Sequence, residues 1–181
     1  MSTRLRDFVD QFNCFFVTTT FNDWMPLFIN DNYYLLVIDS LKFCLNKYKA
    51  EIIAYVLMPN HIHLVLFYTD KIDLSGFMRD FKKYTSSKIR QQLFKEGREK
   101  ELEELRYIRY GQMFKIWKDR FDAVVIRNKN VLVTKMKYIH NNPVKKGLVE
   151  REKDWKYSSS SFYLTGKEGI IPITHAWKII N

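Results

Sequence analysis

His61 and His63 sit two residues apart in the apolar run from Ala54 to Phe67 (AYVLMPNHIHLVLF), and this is where the chain can do chemistry. The run stops at Met58-Pro59-Asn60 and restarts at once, the pattern of two strands folded around a Pro-Asn turn. Side chains of a strand alternate faces, so the two imidazoles share one face, roughly 7 Å apart at the backbone. Ile62, Leu64 and Leu66 then point the other way, into a core. Two imidazoles so placed can converge on one divalent metal ion. They can equally form a solvated or hydrogen-bonded pair that holds nothing, and a third ligand has to come from elsewhere.

The far end of the chain offers one. Lys137 to Val144 (KYIHNNPV) belongs to a helix in which Tyr138 and Asn142, four residues apart, lie on one side. Tyr138 carries a phenol oxygen that can act as a nucleophile, and Asn142 an amide oxygen suited to be a hard third ligand. Such a pair arises in helices by chance, so its meaning depends on which surface the helix covers. His140 does not face with Tyr138 and reads as structural or as a phosphate contact.

The elements that must position these residues follow from periodicity. Cys14 to Phe21 (CFFVTTTF) is the first strand, rich in aromatic and β-branched residues. Asn30 or Asp31 caps a helix carrying Tyr34, Ile38, Leu41 and Leu45 at helical spacing. Ile52 to Leu57 is the second strand, and the third carries the histidines. Ser75 opens a second helix with Met78, Phe81, Ile89 and Leu93 on its apolar side and Arg79, Lys83 and Arg90 on another. Glu96 to Glu104 is almost wholly charged and either extends that helix or loops into solvent. Phe121 to Arg127 is the fourth strand; Asn128 or Asn130 caps a third helix, which Pro143 ends. The order β-α-β-β-α-β plus a helix predicts an α+β fold: a ferredoxin-like four-stranded antiparallel sheet, two helices on one face. The tyrosine helix is left to cover the other face, where the histidines are.

The 181 residues suit one domain, with a core from about 14 to 160 and a C-terminal extension at 161–181. A composition 46% hydrophobic and 16% aromatic excludes a disordered chain. The formal charge of +10 comes from two segments, Lys71–Arg98 and Lys129–Lys156, each with eight Lys/Arg against three Asp/Glu. That surplus favours a polyanion, nucleic acid before an anionic membrane, although solvated basic helix faces would give it too. Arg79, Lys83, Arg90, Lys135, Lys145 and Lys146 are the candidate DNA contacts. Cys14 and Cys44 have no spacing that suggests zinc or a disulfide framework. The absence of an apolar signal core near Met1 and of a membrane-length apolar run leads to the expectation of a cytoplasmic, nucleoid-associated protein.

Met58-Pro59-Asn60-His61-Ile62-His63 resembles the HUH motif of the single-tyrosine, IS200-like transposases. Tyr138 to Val149 (YIHNNPVKKGLV) resembles the tyrosine motif of their REP-associated branch, and Trp117–Asp122 and Trp155–Ser159 fit its downstream pattern. The resemblance runs from about Phe15 to Ser160; the charged stretch from Glu96 to Tyr110 departs from it. It implies a metal-dependent endonuclease and strand transferase acting on single-stranded DNA beside hairpin repeats. His61, His63 and Asn142 would bind Mg2+ or Mn2+, and Tyr138 would attack to give a 5′-phosphotyrosine. The branch's monomeric habit favours a monomer over a dimer. Two other readings stay open at this point. One is a non-catalytic nucleic-acid binder using Phe15, Phe16 and Phe21 to stack bases. The other is a metal-dependent nuclease in which water attacks and Tyr138 is merely packed.

Overall fold

The computed structural model describes residues 13–109 and 112–179. The first residues of the chain, read above for a signal core, and Tyr110 of the charged stretch lie outside them. Strand β1 (Cys14–Thr20) is followed by helix α1 (Asp31–Lys47), strands β2 (Ala50–Met58) and β3 (His61–Tyr68), and helix α2 (Leu74–Lys95). A short helix α3 (Glu99–Glu104) leads into a hairpin of β4 (Arg106–Arg109) and β5 (Gln112–Phe114). Strand β6 (Asp122–Val125), helix α4 (Lys129–Lys145) and a short helix α5 (Ser160–Thr165) follow, with a 3-10 turn at Ala176–Ile179. Four strands form one antiparallel sheet in the order β2-β3-β1-β6, the ferredoxin-like arrangement.

Strands β1, β2 and β3 are buried on both faces, and strand alternation decides which residues go where. Phe15, Val17, Ile62, Leu64 and Leu66 join the main core with Val37, Ile38 and Leu41 of α1 and Phe77, Met78 and Phe81 of α2. Phe16, Val56, Met58 and Val65 form a second core with Leu132 and Ile139 of α4. A register shift between Ile52 and Ala54 puts Ile53 and Ala54 together in that second core. Helices α1 and α2 therefore cover one face and α4 the other. Among the described residues no helix is long and apolar enough to cross a membrane.

Several boundaries differ from the sequence reading. Asp73, not Ser75, caps α2: its carboxylate accepts from Gly76 N at 2.8 Å. Pro143 does not end α4, because a proline near the last turn forfeits only the bond back to Ile139. The helix runs on to Lys145 and stops at Gly147 (φ 68°), whose N–H returns to Val144 O at 2.9 Å. The charged run neither extends α2 nor floats free. Glu96 closes α2 and accepts from Tyr33 on α1 at 2.8 Å, and buried Leu105 anchors the hairpin that follows. The fourth strand is shorter than read, Asp122–Val125.

Helix α4 begins with Asn128 Oδ1 accepting from Val131 N at 3.0 Å. Asn128 is exposed, so its replacement removes the cap and little else. Asn128→Ala should cost about 1 kcal/mol of folding stability, read as a lower denaturant midpoint at unchanged slope. An unmoved midpoint would show that α4 is held without its cap.

Candidate functional site

In the hairpin β2–β3 the Pro59-Asn60 turn delivers His61 to the first position of β3, and the strand's period returns His63 to the same face. Both are nearly buried, 5% and 4% exposed, with ring centroids 4.7 Å apart. Each imidazole is held through Nδ1. His61 Nδ1 lies 2.6 Å from Asn60 Oδ1; in the tautomer that donates from Nδ1 to this oxygen, Nε2 keeps its lone pair. His63 Nδ1 lies 2.8 Å from the Thr18 hydroxyl, directly across from it in the β1–β3 register. Phe16 stacks on the His63 ring at 5.4 Å. His63 Nε2 is buried without any hydrogen-bond partner.

Helix α4 brings its two residues to this pair. Asn142, 6% exposed, places Nδ2 3.5 Å from His61 Nε2. Turning the amide over presents Oδ1 from the same place. Tyr138, one turn earlier, has its ring 5.1 Å from that of His63 and 6.0 Å from that of Phe16, and remains 49% exposed. A nucleophile must be open to substrate and a ligand sheltered, and the two residues divide that way. Among the described residues no group of three His, Cys, Asp or Glu could hold a metal, so Asn142 is what would complete a set with the histidines. The orphaned Nε2 of His63, the lone pair of His61 and the adjacent amide fit a divalent ion.

The basic candidates divide as well. Lys135 lies over the Phe16 ring at 4.5 Å, and Lys135 and Lys146 are near enough to act electrostatically on His63 and His61. Lys145 is exposed at the end of α4. Lys83 and Arg90 line a groove of about 520 Å³ on α2 with Lys118, while Arg79 is ion-paired with Asp80 at 3.2 Å. Thr18, Asn60 and Phe16 act on the histidines, a role that their place in the sequence does not show; the β1–β3 pairing is the signal that finds Thr18. His140 is structural: buried, its Nε2 lies 2.8 Å from Ser159 Oγ. Phe15 and Phe21 are fully buried and Phe16 is covered by His63, Tyr138 and Lys135. None of the three offers a free face to a base, which removes the feature that favoured a stacking module.

A family model described as "Transposase IS200 like" matches residues 27–142, a span that holds both histidines, Tyr138 and Asn142. A protein of Haemophilus influenzae named as a REP-associated tyrosine transposase is 31% identical over 172 residues, 95% of this chain and 92% of its own. Among solved structures, a REP-associated tyrosine transposase bound to a REP hairpin matches with a TM-score of 0.64 at 23% identity. That match covers 90% of this chain and 86% of the other, and shows a shared fold.

Burial pushes His61 down to about 4, helped by the charge of Lys146, and His63 to about 3, helped by His61 and Lys135. Burial alone takes His140 to about 4. All three are therefore neutral at pH 7, and no proton competes for Nε2 of the pair. The unfolded chain takes up these protons near pH 6.5 and the folded chain only near pH 4 or below, so stability is full above about 6.5 and lost as pH falls. The metal-free protein should show a denaturation midpoint that declines steadily from pH 7 to pH 4, with the His63 ring still neutral by NMR at pH 5. A His63 ring that protonates near pH 6.5 would contradict the buried geometry.

Proposed function

The chain belongs to the family of IS200-like transposases, and we propose that, as one of its REP-associated members, it cuts and rejoins single-stranded DNA beside hairpin repeats. The observation that carries this reading is one contact pattern. Two residues a helical turn apart on α4 land beside two histidines some eighty positions earlier in the chain, Tyr138 at His63 and Asn142 at His61. A packing helix would need neither an exposed phenol nor a buried amide at those places.

His61, His63 and Asn142 would hold a divalent ion, Mg2+ or Mn2+. When bound, it would neutralise charge on the scissile phosphate and polarise its phosphorus–oxygen bonds. The ligands are neutral, so the ion's charge would stay available to the phosphate. Asn60 and Thr18 fix the imidazole rings through Nδ1. Tyr138 Oη attacks phosphorus as its proton passes to water, forming the tyrosyl ester while the bond to the 3′ oxygen breaks and that oxygen takes a proton from water and leaves as a hydroxyl. The 5′ side of the break stays on Tyr138. A second 3′ hydroxyl can reverse the step and join a different strand, because the ester conserves the bond that hydrolysis would spend. Lys135 and Lys146 supply positive charge beside the pair. Tyr138 meets histidines of its own chain, which favours a monomer as the working unit.

The test is a covalent adduct. Incubated with hairpin-flanked single-stranded DNA and Mn2+, the protein should form a species that survives denaturing electrophoresis. Tyr138→Phe keeps the ring and loses the oxygen, so folding, metal affinity and DNA binding should persist while adduct and cleavage fall at least a hundredfold, on the order of losing a nucleophile. His63→Ala should instead weaken metal binding and, with it, cleavage. Cleavage by Tyr138→Phe at the wild-type rate would make water the nucleophile and the chain a hydrolase.

A further inference from the structure

Beyond the end of β1 the chain makes a tight turn, Asn22–Trp24, in which Asp23 and Trp24 both take left-handed backbone angles, φ 50° and 58°. Side chains other than glycine rarely adopt that region, and two in succession without a glycine mark a segment held by its surroundings. The ties are visible. Phe21 N donates to Asn60 O at 3.0 Å and Phe28 N to Pro59 O at 3.1 Å, fastening the loop to the turn that precedes His61. Asn22 N donates to Ile116 O at 2.8 Å, and Lys118 N to Thr20 O at 3.0 Å.

What this holding achieves is the placement of Trp24. Its ring centroid is 5.9 Å from that of His61, at 72°, yet the residue is 53% exposed. Folding gains little from a large apolar ring left half in water on a strained backbone. Lys118 Nζ stands 4.7 Å from the ring centroid, and Lys118 also lines the groove that Lys83, Ser86, Ser87 and Arg90 form on α2. An indole beside the metal-ligand histidine, a lysine over it and a basic groove beyond thus form one continuous path. An aromatic face with a flanking cation is the arrangement that grips an unpaired base and the phosphate attached to it.

We propose that Trp24 is a stacking platform for an unpaired base next to the phosphate attacked by Tyr138, with Lys118 and the Lys83–Arg90 groove receiving the backbone of that DNA strand. The proposal rests on the reading of the chain as a single-strand transferase. Every base has a π face, so the platform positions the strand without choosing its sequence. It sits on the His61 side of the pair and Tyr138 on the His63 side, so the strand would cross both imidazoles.

The experiment measures binding by fluorescence anisotropy to a DNA hairpin with single-stranded flanks, an abasic nucleotide being moved along the flank. Trp24→Ala should weaken binding roughly ten- to a hundredfold and Trp24→Phe should restore most of it. One abasic position should cost the wild type a similar factor and cost Trp24→Ala nothing further. A wild type that forms adduct while Trp24→Ala binds equally well, or shows the same abasic profile, overturns this inference alone. A wild type that forms no adduct on any such DNA overturns the transferase reading and this inference together.

Discussion

The two-residue period of β3, an inner strand buried on both faces, is the constraint on which the site depends. Ile62, Leu64 and Leu66 must fill the main core, and His61 and His63 must then occupy the opposite face. A slip of one residue would drive two imidazoles into the core beneath α1 and α2 and expel three aliphatic side chains from it. The apolar core thus fixes the polar pair. The same register sets Thr18 opposite His63, so the hydrogen bond that orients its ring comes with the strand pairing.

Helix α4 depends on that face in turn. Leu132 and Ile139 pack with Phe16, Val56 and Val65, and this seam sets the rotation of the helix. Rotation then decides that Asn142 is sheltered against His61 and that Tyr138 stands at the rim beside His63. The chain beyond the helix reinforces the arrangement. Tyr157 stacks on Tyr34 of α1 at 3.7 Å, and the segment pairs along β2 through Leu57 N to Tyr157 O and Ser159 N to Tyr55 O. His140 faces the same segment through Ser159, so the helix that carries Tyr138 is locked on its far side as well.

Local periodicity made the sheet, the three long helices and the shared face of His61 and His63 legible in the sequence, because a strand or helix pattern repeats within a few residues. The place of Tyr138 and Asn142 was legible by elimination, since one helix remained for one uncovered face, and by the resemblance of Tyr138–Val149 to the family's tyrosine motif. What escaped depends on partners distant in sequence. Thr18 reads as one more strand threonine until β1 is paired with β3, and Trp24 as an ordinary loop residue until its backbone angles and its distance to His61 are known. Pro143 misled because a proline usually stops a helix, whereas here it falls in the last turn, where little is lost. The charged run misled for a similar reason: its acidic residues hide Leu102 and Leu105, which pack on the main core.

In the proposed function, β3 and α4 together build one metal site with a tyrosine at its edge. Anomalous diffraction from crystals of the protein grown with Mn2+ tests it most directly. The expected result is a single strong peak between the Nε2 atoms of His61 and His63, with the Asn142 amide oxygen as the third protein ligand and the Tyr138 phenol facing the open side. Saturating Mn2+ that leaves the histidine pair empty, or an ion bound there with Asn142 turned away, would rule that site out.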